Sequence, residues 1–141
     1  MLLPIAGLLD KLVYFPPLSQ TKMKLFDTKI IAVSNQKGGV GKTTSAVNIA
    51  AYLAVTETPT LLIDMDPQAN ATSGVGIEIG SYKQSIYDVV IGKVKLSDAV
   101  QKTELEFLDV VPSSAQLVGA EIELVSLFSR ERMLKEALED V

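Results

Sequence analysis

The chain contains no cysteine and no histidine among its 141 residues. Without cysteine it can form no disulfide, no thiolate metal site and no cysteine-held iron–sulfur cluster. Without histidine it lacks the commonest general base and metal ligand, so carboxylates must carry any acid–base work. Positive charge is short as well: 13 lysines and arginines against 17 aspartates and glutamates leave a formal net charge of −4. That balance gives no overall electrostatic footprint for nucleic acid. The lysines that do lie close together, Lys22, Lys24 and Lys29 and then Lys93 and Lys95, read as solvated surface charge. Long apolar runs are also missing. Met1–Leu9 is apolar, but no positive residue precedes it and Asp10 and Lys11 interrupt it, which makes it a poor signal peptide and too short for a membrane span. The length suits one ordinary domain and is too short for two.

What is present begins with Asn35-Gln36-Lys37-Gly38-Gly39-Val40-Gly41-Lys42-Thr43-Thr44, which follows the apolar run Ile30–Val33 and opens a helical pattern. Strand, glycine loop and helix in that order read as a phosphate-binding loop. Glycines let the backbone approach a polyphosphate and turn successive N–H groups inward, while the helix starting near Lys42 adds positive potential. Lys42 is placed to reach the β- and γ-phosphates and the Thr43 hydroxyl to ligate Mg²⁺. A glycine-rich turn with solvated lysines is the bland alternative, and the agreement of strand, loop, helix and hydroxyl position weighs against it.

A second segment, Leu61-Leu62-Ile63-Asp64-Met65-Asp66-Pro67-Gln68, is a short apolar run ending in carboxylates, as expected of a buried parallel strand with acidic side chains at its C-terminal edge. The strand period of two predicts Asp64 and Asp66 on one side, where the pair can serve one metal and one water. Aspartate also favours turns after strands, but Pro67 fixes the exit and a right-handed crossover puts both carboxylates on the loop's side of the sheet.

The generic loop pattern asks for glycine where Gln36 stands. The sequence instead reads K-G-G-x-G-K-T, with Lys37 as a second lysine. This resembles the deviant Walker A loop of the ParA/MinD superfamily of ATPases. The resemblance implies that Lys37 reaches across a nucleotide-sandwich homodimer to the partner's phosphates, that Gly38, Gly39, Val40, Gly41, Lys42, Thr43 and Thr44 cradle ATP, and that Thr43 holds Mg²⁺. It matches Leu61–Gln68 to the Walker A′ strand, with Asp66 on the aspartate that positions the attacking water and Asp64 near the Mg²⁺ shell. Lys37, Lys42 and Asp66 are then the catalytic set. The tail Asp66-Pro67-Gln68-Ala69-Asn70-Ala71-Thr72-Ser73-Gly74 and the Asn35-Gln36 pair resemble the ParA/Soj type more than the MinD type. The missing cysteines exclude the nitrogenase-reductase branch, which shares the loop but holds a cluster between subunits.

The implied fold class is α/β, a P-loop NTPase of three α/β/α layers with a mostly parallel sheet. Residues 29–141 carry the resemblance, and residues 1–28 are read as an extension that is unstructured or loosely packed. Pro16 and Pro17 break any helix there, and Ser19–Lys22 reads as a linker. An upstream start without function is the leading reading of that extension, and an amphipathic anchor the alternative. Beyond Lys29 the pattern predicts a strand at Ile30–Ser34, a helix at Lys42–Val55 with Ala46, Ile49, Ala50 and Leu53 on one face, and a strand at Leu61–Asp64. A short helix at Asn70–Val75 follows, then helices at Ser85–Ile91 and Leu96–Gln101. The last expected elements are a strand at Phe107–Val111 and helices at Ala115–Leu127 and Arg130–Asp140.

Phe107-Leu108-Asp109-Val110-Val111 imitates a Walker B strand, but its aspartate sits inside the apolar run. Four apolar residues followed by Asp-x-Pro-Pro, the Walker B form expected from the resemblance, do not occur. The resemblance therefore covers the N-terminal half of a ParA-type domain, with its C-terminal part truncated. Three or four further βα units, roughly 100 residues, would complete it. The implied whole is a cytoplasmic, nucleoid-associated ATPase of chromosome or plasmid partition. It would work with a ParB-like centromere-binding partner, bind non-specific DNA through the missing region and have no membrane partner. A non-catalytic fragment, a MinD-like membrane-cycling ATPase and a cargo-positioning relative are the rival readings.

Overall fold

The computed structural model describes residues 11–15, 28–125 and 132–139. Five strands form one sheet: β1 (Lys11–Phe15), β2 (Lys29–Val33), β3 (Thr60–Asp64), β4 (Gln101–Lys102) and β5 (Leu108–Val111), in the order β2-β1-β3-β5-β4. The helices are α1 (Lys42–Val55), α2 (Asn70–Gly74), α3 (Ile86–Val90), α4 (Leu96–Ala99), α5 (Leu117–Val125) and α6 (Met133–Leu138).

β3 and β5 pair in parallel, with Thr60 opposite Leu108 and Ile63 opposite Val111. β1 runs antiparallel to both β2 and β3, so β2, β3 and β5 share one direction, while β1 and β4 run the other way. The unit β2-α1-β3 thus has the parallel sense of a crossover, with a strand from the N-terminal extension lying between its two strands. Residues 11–15 are thus a paired strand within the segment expected to be unstructured or loosely packed. Leu12-Val13-Tyr14-Phe15 is a run of strong strand formers ended by Pro16, and it finds two backbone partners. The rest of that extension, including the Ser19–Lys22 linker, lies outside the described residues.

The pleat divides the core. Leu61 and Ile63 of β3 point with Val111 toward α3 to α6, packing on Ile86, Tyr87, Val90, Leu96, Leu117 and Leu134. Leu62, Leu108 and Val110 face the other way, onto Ala46, Ala50 and Ala54 of α1 and Ala71 of α2. β3 is therefore buried on both faces along its whole length, as its unbroken apolar run requires. Helices on both sides of a mixed sheet give the expected three layers.

α1 matches its expected limits, but its contact stripe is narrower. Ala46, Ala50 and Ala54, spaced by four, are buried, whereas Ile49 is 41% exposed. Small side chains on that row let the helix approach the sheet closely. α1 closes with a Schellman arrangement: Thr58 N–H donates to Leu53 O at 2.9 Å and Glu57 N–H to Ala54 O at 2.9 Å. α3 begins at Ser85, whose N–H donates to the Asp88 carboxylate at 3.0 Å. Gln101, expected at the end of a helix, instead opens the short edge strand β4 with Lys102, and the two pair with Val110 and Asp109. Tertiary pairing overrode local pattern there. α5 and α6 are shorter than expected within the described residues.

Candidate phosphate-binding site

β2 delivers the chain to the loop at one end of the sheet, and α1 carries it away. Between them, the Asn35 side-chain oxygen accepts the Lys37 N–H at 2.9 Å, a local turn that reverses the chain after the strand. Gly39 (φ 70°) and Gly41 (φ 82°) adopt the left-handed conformation, which a β-carbon disfavours. A β-carbon built on Gly38, Gly39 or Gly41 would meet nothing within 4 Å. Gly39 and Gly41 therefore answer to backbone conformation, and space is open above all three glycines.

Gly41 is the N-cap of α1, and no side chain caps that end. Its carbonyl accepts the Ser45 N–H at 2.8 Å, the first bond of the helix. Lys42 folds back so that its ammonium donates to the Lys37 carbonyl at 3.2 Å. Gly38, Gly39, Val40, Gly41, Lys42, Thr43 and Thr44 line one cavity together with Asp66, Gln68 and Asn70. This donor set suits an anion: backbone N–H groups at a helix start, one ammonium and two hydroxyls. A hard cation fits beside it through the Thr43 hydroxyl and oxygen ligands.

The two aspartates separate. β3 ends at Asp64, so the period of two does not carry through to Asp66. Asp66 is half-buried and faces the loop cavity, and its Oδ1 accepts the Gln68 N–H at 3.0 Å. Asp64 is fully buried and lies outside that lining. Its Oδ1 accepts the Asp66 N–H at 3.1 Å, and its Oδ2 accepts the Thr72 N–H at 2.8 Å and the Thr72 hydroxyl at 2.9 Å. Lys37, whose side chain is exposed, also lies outside the lining.

Gln68 and Asn70 stand in the tail that resembles the ParA/Soj type, and nothing in the sequence signals their contact with the loop cavity. Ala69, between them, is buried with φ 53°, a left-handed alanine that turns the chain so that both neighbours meet the cavity. No sequence signal marks an alanine for that conformation. Asp109 is paired with Lys102 at 2.8 Å and sits near Thr60 and Phe107, at the strand ends away from the loop. Among the described residues no cluster of three or more acidic side chains could hold a metal.

A mixed α/β sheet between helices, with a glycine loop opening a helix and a facing acidic strand end, defines a P-loop nucleotide-binding domain. Residues 28–141 match the family described as AAA domain, and the chain belongs to it. Within it, the chain is 54% identical over 113 residues to the sporulation initiation inhibitor protein Soj of Bacillus subtilis, covering 80% of this chain and 45% of that protein. Against the chromosome partitioning protein ParA of Myxococcus xanthus it is 50% identical over 110 residues, covering 78% and 39%. The chain thus spans less than half the length of these relatives.

Among solved structures, it is similar to cobyrinic acid a,c-diamide synthase of Mycobacterium smegmatis with bound ATP analog and magnesium. The TM-score is 0.67 and the identity 37%, over 75% of this chain and 43% of that one. A putative plasmid partition protein of Borrelia burgdorferi bound to AMPPNP gives a TM-score of 0.57 at 29% identity, over 74% and 44%.

Proposed function

We propose that the chain binds Mg²⁺·ATP at the glycine loop and forms the nucleotide-binding part of a ParA/Soj-type ATPase of chromosome or plasmid partition. The observation that carries this reading is the cavity that joins Gly38–Thr44 to Asp66. Similarity to Soj and ParA supports the partition role. The ATP analog, ADP and magnesium bound by the synthase support the ligand.

In this reading the loop N–H groups and Lys42 hold the β- and γ-phosphates, and Thr44 contacts the α-phosphate side. Thr43 holds Mg²⁺, with Asp64 behind it. Bound Mg²⁺ supplies charge neutralisation at the phosphate oxygens. Asp66 orients the attacking water, and Lys42 stabilises charge that develops at the transferred group. Lys37, exposed at the loop's edge, reaches into the site of a second subunit in an ATP-bound homodimer. The longer protein would sit in the bacterial cytoplasm on nucleoid DNA and respond to a ParB-like partner. Among the described residues no helix is long and apolar enough to cross a membrane.

A second reading is binding without hydrolysis. Titration of the chain with ATP, with and without Mg²⁺, tests the proposal. Saturable binding strengthened by Mg²⁺ is expected, and no binding at millimolar ATP would remove the reading. Phosphate release then separates the two readings, and in a version that turns over, Asp66→Ala should keep binding and stop hydrolysis.

A further inference from the structure

The Asp66 segment is held by a buried chain of hydrogen bonds that the loop chemistry does not explain. Asp64, at the end of β3, grips it at both sides: Oδ1 accepts the Asp66 N–H at 3.1 Å, and Oδ2 accepts the Thr72 N–H and hydroxyl at 2.8 and 2.9 Å. Asp64 and Thr72 are both fully buried. The Thr72 hydroxyl oxygen in turn accepts the Ser113 N–H at 3.1 Å, from the turn that follows β5. A hydroxyl can donate to the carboxylate and accept from the amide at once, whereas valine fills the same volume and does neither.

Between the two grips lie Gln68 and Asn70, which face the loop cavity, and the left-handed Ala69. A strained residue persists where its surroundings over-determine it. We propose that Thr72 is a positioning residue: its hydroxyl locks Asp66, Gln68 and Asn70 at the phosphate cavity and ties their placement to the Pro112–Ser113 turn. Its functional meaning rests on the nucleotide reading above, but the lock itself is a property of this chain.

The test compares Thr72→Val and Thr72→Ser in the 141-residue chain by amide hydrogen exchange and ATP titration. In Thr72→Val, amides of residues 66–74 should exchange about tenfold faster, the loss expected of one buried hydrogen bond, while α1 amides stay unchanged. Thr72→Ser should restore protection, and both variants should bind Mg²⁺·ATP within about twofold of the parent, since the loop supplies the phosphate donors. Unchanged exchange in Thr72→Val, or equal loss in both variants, overturns the proposal. If Thr72→Val also opens α1, the same contrast is required of Thr72→Ala against Thr72→Ser, and equal loss there overturns it too. A parent chain that binds no nucleotide would end the proposed function, while the exchange contrast still decides the lock.

Discussion

The ammonium of Lys42 donates to the carbonyl oxygen of Lys37 at 3.2 Å, so the side chain arches back over the glycine loop. Positive charge is thereby stationed at the cavity before any anion enters. A phosphate oxygen would replace a neutral acceptor with a charged one, and such bonds are about twice as strong. Lys42→Ala should therefore weaken ATP affinity on the order of 100-fold. The melting temperature should move little, because the side chain packs no core. Calorimetric titration beside a thermal melt checks both halves, and parental affinity in the variant would remove Lys42 from the phosphate site.

Glu57 holds a left-handed conformation, φ 59°, at the position just past the α1 cap. Glycine is the usual residue there because it carries no β-carbon to clash. Glu57 is exposed, so replacement costs no packing. Glu57→Gly should stabilise the fold by about 0.5–1 kcal/mol, the relief of left-handed strain less the added entropy of the unfolded chain. Denaturant unfolding measures this, and a lower midpoint would contradict it.

Lys42 marks what the sequence made legible, whereas nothing in the sequence marked Glu57 for its left-handed conformation. The loop, α1 and β3 could be read because each carries a signal written in consecutive residues: glycine spacing, helical period, an unbroken apolar run. Asp66 was legible for the same reason. Three features were not. β1 was hidden because its partners β2 and β3 are distant in sequence, and β4 because two residues form no pattern of their own. Thr72 was hidden because its importance lies in bonds to Asp64 and Ser113, eight and forty-one residues away. Local chemistry shows in the sequence, and contacts made by closure of the sheet do not.

The Tyr82 hydroxyl donates to the Ser113 carbonyl, and its pKa is raised above 10.0 by burial and then by the charge of Asp64. Below pH about 10 the phenol is protonated folded and unfolded, and its contribution is complete. As pH rises further, the unfolded chain releases the proton first. Stability therefore falls as pH passes through the raised value. Tyr82→Phe should cost about 0.5–1.5 kcal/mol at neutral pH through the lost hydrogen bond, yet show a shallower decline above pH about 10. Melting curves of both proteins across that range test it, and parallel declines would exclude Tyr82 as the source.

β2 is an edge strand of the sheet, and Ile30 and Ile31, on its opposite faces, are 53% and 42% exposed. On α1, Tyr52 and Val55 are each 69% exposed, with Ile49 nearby. A strand edge without a partner among the described residues, flanked by apolar surface, invites association. The isolated chain should therefore self-associate with concentration, bind apolar dyes and melt broadly. Tyr52→Lys with Val55→Lys should reduce association by adding charge to exposed positions while leaving helix content unchanged. Sedimentation velocity with circular dichroism gives the answer. A monomeric parent chain with a sharp, high-temperature two-state melt would mean that this surface is stable in water as it stands.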